Sequence, residues 1–267
     1  MRFQGIAATL VTALTSVSAA PFGENTEVQA RQDTKPPYFL LTGDSTVAVG
    51  GGWGDGFLRY VQSPADGKNY GKSGATTVSF RAQGIWDTVI GEVQANKDAF
   101  SPIVTIQFGH NDQKEAAGIS PDQFQANLET LANEVKAAGG TPILITSLTR
   151  RVFSGGKVIQ NLETERQRAI AAAEAVGAIY LDLNTASTNY VNAIGNENGH
   201  KYDLASGDST HLNVAGETVF GRLVADLLLE KRTDLAQYIA ENKALSDKIA
   251  NGEFATGDEI NILSRVF

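Results

Sequence analysis

Short runs of β-branched and aromatic residues alternate with helix-like segments along most of this chain, and this alternation limits the possible folds. Strands followed in turn by helices are typical of a parallel sheet with crossover helices. We therefore predict an α/β domain. Strands are predicted at residues 38–42, 68–70, 103–108, 142–146 and 178–183. Helices are predicted at residues 56–61, 77–82, 85–97, 121–138, 163–176 and 214–230.

The N-terminus has the features of a targeting segment. Arg2 provides a positive start, residues 6–17 are mostly apolar, and residues 18–20 are the small residues Ser-Ala-Ala. This pattern is typical of a secretory signal peptide, which we place at residues 1–20, so the mature protein is expected to be secreted. The alternative is an N-terminal core helix.

Three further segments are distinguished by composition. Residues 21–37 are polar, end in two prolines, and are interpreted as a flexible spacer or a pro-segment. Residues 38–231 contain the alternating pattern and are assigned to the α/β domain. Residues 232–267 are interpreted as a C-terminal extension that is helical in part, around residues 234–249.

The composition argues against several classes of function. The chain has 30 acidic and 22 basic residues, a formal net charge of -8. Nucleic-acid-binding surfaces are usually basic, so no nucleic-acid partner is expected. After the N-terminal segment no apolar stretch is long enough to cross a bilayer, so no membrane partner is expected. The chain has no cysteine, which excludes cysteine nucleophiles, thiolate metal ligands and disulfides.

Polar residues follow the predicted strands, and ligands of open α/β sheets bind outside the carboxyl ends of the strands. We therefore expect these residues to gather at one edge of the sheet. In strand order, the residues are Gly43-Asp44-Ser45, then Gly71 to Gly74, then Gly109-His110-Asn111-Asp112, then Arg150-Arg151, and finally Asp208-Ser209-Thr210-His211.

Ser45, Asp208 and His211 are candidate residues for acyl transfer. A serine hydrolase needs a hydroxyl nucleophile, an imidazole that takes its proton, and usually a carboxylate that orients the imidazole. Asp208 precedes His211 by three residues, a spacing that can bring both side chains to the same side of a turn. Ser45 lies between a strand and a glycine-rich turn, where backbone N–H groups can stabilise an oxyanion. Each motif alone also fits an ordinary capped turn.

Gly74 and Asn111 are candidate oxyanion donors. Gly74 can present a backbone N–H where a side chain would obstruct the substrate, and the Asn111 amide can donate to the same oxygen. Taken singly, they are equally consistent with a turn glycine and an Asx-turn.

Four motifs in order carry a resemblance to a known family. They are Gly43 to Val47 (GDSTV), Gly52 to Gly54 (GWG), Gln107 to Asp112 (QFGHND) and Thr149 to Phe153 (TRRVF). Together with the final D-x-x-H they resemble the SGNH/GDSL hydrolase superfamily, and within it the rhamnogalacturonan acetylesterase family. The resemblance covers roughly residues 38–230. It implies a flavodoxin-like three-layer α/β/α sandwich with a five-stranded parallel sheet, and it implies no metal or organic cofactor.

The resemblance also implies roles for individual residues. Ser45 is the implied nucleophile and gives one oxyanion N–H, Gly74 gives the second, and Asn111 gives a side-chain donor. Asp208 is implied to orient His211, the general base. The implied activity is removal of acetyl groups from rhamnogalacturonan, a pectic polysaccharide, through an acetyl-enzyme, and we expect a monomer.

This chain departs from the family pattern in two places. Some relatives carry disulfides, which a chain without cysteine cannot form. Relatives often have arginine and serines after the glycine of the second motif, whereas residues 72–77 read Lys-Ser-Gly-Ala-Thr-Thr, so fine substrate contacts are expected to differ.

Four more residues are candidates for substrate contact. Arg150 or Arg151 is expected to pair with a uronate carboxylate, the alternative being that both are solvated or paired with Glu163 or Glu165. Trp53 and His110 are candidates for the acyl or sugar pocket, with core packing as the alternative.

Other functions remain open at this point. Within esterases, the alternatives are a broader acetyl esterase acting on xylan or small esters, and a lipase. A non-catalytic carbohydrate-binding protein with the same fold is a further alternative. A flavin site is supported by the fold class only. A phosphate-binding Walker motif is excluded, because Asp66 stands where its first glycine is required.

Overall fold

Seven strands lie in the described part of the chain, and five of them form the central parallel sheet. The computed structural model describes Met1 and residues 35–259. The strands are β1 (Pro37–Gly43), β2 (Asp66–Asn69), β3 (Ser101–Gln107), β4 (Thr141–Ile145), β5 (Phe153–Ser154), β6 (Lys157–Val158) and β7 (Ile179–Leu181). The central sheet has the order β2-β1-β3-β4-β7, with every neighbouring pair parallel, and β5 and β6 form a separate antiparallel hairpin. This order confirms the predicted flavodoxin-like sheet.

Helices cover both faces of the sheet. They are α1 (Gly54–Leu58), α2 (Thr77–Ala82), α3 (Ile85–Asn96), α4 (Pro121–Ala138), α5 (Glu163–Val176), α6 (Leu183–Gly199), α7 (Val214–Lys231) and α8 (Lys243–Ala250). Successive side chains of a strand point to opposite faces. Phe39 and Leu41 of β1 pack in one cluster with α1, α6, α7 and α8, whereas Tyr38 and Leu40 pack in another with α2 to α5. The three-layer sandwich is thereby confirmed.

The boundaries of α4 agree with the prediction because its end signals are strong. The Ser120 side chain accepts the N–H of Gln123, and Pro121 occupies the first turn. Gly139 ends the helix with φ 97°, a left-handed conformation that favours glycine.

Helix α6 was not predicted from the sequence, nor was the β5–β6 hairpin. The first turns of α6 are rich in Asn, Thr and Ser, which are weak helix formers. Tertiary burial stabilises the helix instead, through Leu183, Tyr190, Val191 and Ile194. The Asp182 side chain also caps it by accepting the N–H of Thr185. The connection predicted between the fifth strand and Asp208 is therefore largely helical.

Two glycines allow α1 and α7 to touch backbone to backbone. A Cβ atom on Gly56 would lie 1.8 Å from the carbonyl oxygen of Glu217, and one on Gly221 would lie 2.4 Å from the carbonyl carbon of Gly56. Helix α1 follows the Ser45 turn and α7 follows His211. The contact therefore fixes the two segments that flank these residues relative to each other.

The chain divides into two units between residues 32 and 33, and the second contains residues 35–259. The predicted signal peptide and most of the predicted spacer lie outside the described residues. Part of the predicted C-terminal extension is described: a 3₁₀ segment, Thr233–Tyr238, and α8. Leu235, Leu245 and Ala255 from this part join the cluster formed by α6 and α7. In residues 35–259, no helix combines the length and apolar character needed to span a bilayer.

Candidate active site

Ser45, His211 and Asp208 form a continuous chain of hydrogen bonds at the carboxyl edge of the sheet. The Ser45 Oγ lies 2.8 Å from Nε2 of His211, and Nδ1 of the same ring lies 2.9 Å from Oδ2 of Asp208. The three predicted residues thus meet although 166 positions in the chain separate Ser45 from His211. In this arrangement the imidazole can remove the hydroxyl proton while the carboxylate holds the ring.

The turn after β1 presents Ser45 to this site. Asp44 shapes the turn, because its Oδ1 accepts the N–H of Thr46 at 2.9 Å and the Thr46 hydroxyl at 2.8 Å. Gly43 is needed at the end of the strand, since a Cβ atom there would lie 2.3 Å from the carbonyl oxygen of Gln107. Ser45 itself is 9% exposed.

A closed loop carries Asp208 and His211. The loop spans residues 203–212, and an antiparallel bridge between Asp203 and Leu212 joins its two ends. The Leu204 N–H also donates to the His211 carbonyl at 3.0 Å. Asp208 Oδ1 accepts the backbone N–H groups of Thr210 and His211. The pKa of Asp208 is lowered: burial, the largest influence, raises it, but the His211 and Thr210 donors together outweigh burial. The carboxylate is therefore ionised at neutral pH, as an orienting group requires.

Two backbone N–H groups, those of Gly74 and Ser45, are suited to an oxyanion. Gly74 has φ 77°, a conformation that L side chains rarely adopt, and it is exposed. Neither its backbone N–H nor that of Ser45 donates to another described residue. Both are therefore available to a substrate oxygen.

The Asn111 amide is held in one orientation. Its Nδ2 donates to the carbonyl oxygen of Ala75 at 3.0 Å, and its Oδ1 accepts from the Lys114 ammonium at 2.7 Å. An amide nitrogen has two N–H groups, so one remains for a substrate. Lys114 was not predicted as a site residue; the only sequence signal was its position three residues after Asn111.

His110 lies beneath the site and not in a substrate pocket. It is 2% exposed, and its Nδ1 is 3.5 Å from Oδ2 of the buried Asp44. Burial, the largest influence, raises the pKa of Asp44, but the adjacent His110 ring and the Thr46 donors together outweigh burial, so the pKa is lowered. The predicted pocket role of His110 is wrong because the ring is covered by protein.

Trp53 is also a core residue, so its predicted pocket role is wrong. Its side chain is fully buried, and its indole N–H donates to Gln107 Oε1 at 2.8 Å. Gln107 in turn donates to the Thr46 hydroxyl. Trp53 therefore supports the Ser45 turn from the core, which was the alternative considered for it.

The two arginines after β4 lie in different environments. Arg151 is fully buried and pairs with Asp203 at 2.8 Å, so its predicted contact with substrate is wrong. Arg150 is half-buried and donates to the Thr210 hydroxyl at 2.9 Å. Thr210 directly precedes His211, the candidate general base. Among the described ion pairs, neither arginine is bonded to Glu163 or Glu165. Arg150 therefore remains a candidate for substrate contact.

Glu165, a buried carboxyl beneath the site, should make the free energy of unfolding depend on pH. It is 9% exposed, and burial, the largest influence, raises its pKa. A backbone hydrogen bond and His110 lower the pKa by less, and the charge of Asp112 adds to the rise. A raised folded-state pKa means that stability is lost as pH rises through that pKa, when the carboxyl ionises. We expect Glu165→Gln to gain stability relative to the wild type as pH increases from about 4 to about 8.

Urea unfolding of both proteins across this pH range measures the difference. Glu174→Gln, on the exposed side of the same helix α5, is the matched control and should show a flat difference. A Glu165→Gln difference that stays constant, or falls with pH, would contradict the raised pKa.

No group of three or more His, Asp or Glu side chains within residues 35–259 is arranged to hold a metal ion. The side chains described above are those of acid–base and nucleophilic chemistry at a carbonyl carbon.

Comparisons with known proteins agree with this chemistry. Residues 41–219 match the GDSL-like lipase/acylhydrolase family. The chain is 26% identical over 229 residues to the rhamnogalacturonan acetylesterase of Bacillus subtilis strain 168, a match that covers 78% of this chain and 97% of the relative.

Solved structures share the fold. The Bacillus subtilis protein YxiM superposes with a TM-score of 0.63 at 25% identity, over 76% of this chain and 58% of that chain. An acetylxylan esterase of Geobacillus stearothermophilus has a TM-score of 0.53 at 19% identity, over 74% of this chain and 94% of that one. Because the match to residues 41–219 covers more than half of its residues, the chain belongs to the GDSL-like lipase/acylhydrolase family.

Proposed function

We propose that this protein is a secreted serine esterase that removes acetyl groups from the pectic polysaccharide rhamnogalacturonan. The observation that carries the proposal is the hydrogen-bonded chain from Ser45 Oγ through the His211 ring to Asp208. Membership of an acylhydrolase family supports the reaction class. The name of the Bacillus subtilis relative supports the polysaccharide.

The first half of the reaction forms an acetyl-enzyme. His211 Nε2 takes the hydroxyl proton of Ser45 while Oγ attacks the carbonyl carbon of the acetyl group. The carbonyl oxygen becomes an oxyanion, which accepts from the Ser45 N–H, the Gly74 N–H and the free N–H of Asn111. The tetrahedral intermediate collapses, the sugar oxygen leaves, and it takes the proton from His211.

The second half releases acetate by the same groups. A water molecule gives a proton to His211 and attacks the acetyl carbon, and the same donors hold the second oxyanion. When the Ser45–acyl bond breaks, His211 returns the proton to Oγ. Asp208 stays ionised throughout and stabilises the imidazolium that forms in each half.

Asn111→Ala removes one oxyanion donor without removing the nucleophile or the base. We expect kcat to fall by about 10²–10³-fold. The variant loses two hydrogen bonds of the Asn111 side chain, with the Ala75 carbonyl and with Lys114, and keeps both hydrophobic clusters, so it should still fold. Steady-state kinetics on 4-nitrophenyl acetate, with circular dichroism as a check of folding, provide the measurement. Turnover near that of the wild type would remove Asn111 from the oxyanion site.

Arg150 is proposed to bind a uronate carboxylate of the substrate. It is half-buried near the loop that carries His211, and a hydrogen bond to a charged group contributes more than a neutral one. For Arg150→Gln, kcat/KM on substrates that contain uronate should fall about 10-fold more than kcat/KM on neutral acetylated sugars. Equal losses on both kinds of substrate would indicate a structural role for Arg150.

Acetate release from acetylated rhamnogalacturonan, homogalacturonan and xylan, measured side by side, tests the substrate. The proposal requires the first substrate to have the highest kcat/KM. A preference for xylan would identify a xylan acetylesterase, and hydrolysis confined to long-chain esters would identify a lipase. Binding without any acetate release would identify a carbohydrate-binding protein.

Secretion is proposed on the basis of residues 1–20 alone. N-terminal sequencing of the protein recovered from the culture medium of its natural host tests it. A protein that stays in the cells with its first residues intact would contradict the signal peptide.

A further inference from the structure

The loop of residues 203–212 is folded around one buried side chain, that of Arg151. The guanidinium Nε donates to Asp203 Oδ1 at 2.8 Å. Its Nη2 donates to the carbonyl oxygen of His211 at 2.6 Å and to that of Asp208 at 3.3 Å. The backbone N–H of Arg151 donates to the Ser209 carbonyl at 2.8 Å. A single residue, Arg151, thus contacts the loop at Asp203, at Asp208 and at His211.

The contacts of Nε and Nη2 of Arg151 replace part of the water that a guanidinium normally binds, whereas Nη1 is buried and has no hydrogen-bond partner among the described residues. The side chain is fully buried, and burying a charge without partners is costly. Burial lowers the pKa of Arg151, and the Asp203 carboxylate opposes this effect. Asp203 Oδ2 also accepts a hydrogen bond at 2.7 Å from Nδ1 of the half-exposed His200 ring, which fixes the carboxylate from its other side.

Arg151 is attached to the sheet through a short, well-bonded segment. This segment, residues 146–150, leads from the end of β4. The Thr146 N–H donates to the Leu181 carbonyl of β7, and the Thr149 N–H donates to the Ser187 hydroxyl of α6. The guanidinium is therefore carried by a rigid part of the fold, whereas the loop that it contacts is a surface connection.

We propose that Arg151 is a positioning residue that sets where the His211 imidazole stands relative to Ser45. The inference rests on the proposed function, because it assigns the arginine to the same hydrolytic site. It acts through the backbone: the guanidinium holds the carbonyl groups of Asp208 and His211, and their side chains then meet each other and Ser45. The distance that Arg151 maintains is the 2.8 Å between Nε2 of His211 and Oγ of Ser45.

Arg222 offers a matched control. It is a second buried arginine, 3% exposed, and it likewise bonds one carboxylate, Asp226, and one backbone carbonyl, Ala240, at 2.7 Å. None of these partners belongs to the candidate active site. Replacing either arginine by lysine removes the fork of donors and keeps the charge.

The experiment compares Arg151→Lys with Arg222→Lys. Urea unfolding measures stability, and 4-nitrophenyl acetate hydrolysis gives kcat and KM separately. We expect both variants to lose stability. Only Arg151→Lys should lose kcat, by about 100-fold with little change in KM, since misplacement of a catalytic group by about 1 Å costs that much. Equal kcat values in two folded variants would overturn the proposal.

A second readout does not depend on any substrate. The Nδ1–H proton that His211 shares with Asp208 should give a low-field proton NMR signal in the wild type and in Arg222→Lys, and the signal should be lost in Arg151→Lys. If Arg151→Lys does not fold, Asp203→Asn replaces it, and an unchanged His211 signal in that variant would overturn the proposal. A wild type that shows the signal but hydrolyses no acetyl ester would instead refute the proposed function.

Discussion

A Ser45→Ala variant is expected to lose about 10⁶-fold in kcat toward acetyl esters. Without the Ser45 hydroxyl no acyl-enzyme can form. The remaining reaction is a direct attack of water on the ester, in which the oxyanion donors still stabilise the negative charge on the carbonyl oxygen. Removing the hydroxyl ends one hydrogen bond, to His211, and leaves the Asp44–Thr46 contacts that hold the turn. The variant should therefore fold like the wild type.

The measurement combines kinetics with covalent labelling. Acetate release and organophosphate labelling, followed by mass spectrometry, should both be lost in Ser45→Ala. Ser206→Ala changes an exposed serine in the same loop as His211 and should keep both. Label on another serine, or substantial turnover in Ser45→Ala, would show that a different residue is the nucleophile.

An Asp208→Asn variant is expected to lose about 10⁴-fold in kcat. Asparagine retains Oδ1, so it still accepts the N–H groups of Thr210 and His211 that shape the loop. In place of Oδ2 it puts an NH₂ group against Nδ1 of His211. The ring then carries its proton on Nε2, and that nitrogen no longer accepts the proton of Ser45.

The pH dependence of stability gives an independent check on Asp208. Its folded-state pKa is lowered, so the stability that the carboxylate contributes is present above the unfolded pKa and is lost as pH falls through the folded one. The stability advantage of the wild type over Asp208→Asn should therefore shrink as pH is lowered from about 5 to about 3. An advantage that grows over this interval would contradict the lowered pKa.

Much of the fold was predictable from local signals. The ends of α4 follow from the Ser120 cap, Pro121 and Gly139, and Gly177 ends α5 with φ 60°. The alternation of strands and helices predicted a parallel sheet, whereas the flavodoxin-like architecture was implied by the family resemblance. Helix α6 was missed because its Asn, Thr and Ser residues have low helix propensity and its stability comes from packing.

The geometry of the site could be predicted only in part. Sequence order placed Ser45 and His211 at the same edge of the sheet, and the structure brings their side chains within 2.8 Å. Arg151 and Trp53 looked like surface contacts because charge and aromatic character favour binding sites. Whether a neighbouring loop covers a side chain depends on long-range packing, which one sequence does not display. Arg151 illustrates this, since its partners lie 52 to 60 positions further along the chain.

The backbone contact of α1 with α7, made possible by Gly56 and Gly221, has a consequence for how the enzyme acquires activity. Ser45, the proposed nucleophile, is synthesised early and His211, the proposed base, late, and α7 can dock only after nearly the whole domain has left the ribosome. Contacts of such sequence separation form late in folding, after the loop-closure entropy has been overcome. Hydrolysis should therefore appear only with the complete domain, which makes turnover a sensitive reporter of the fully folded population in refolding or translation experiments.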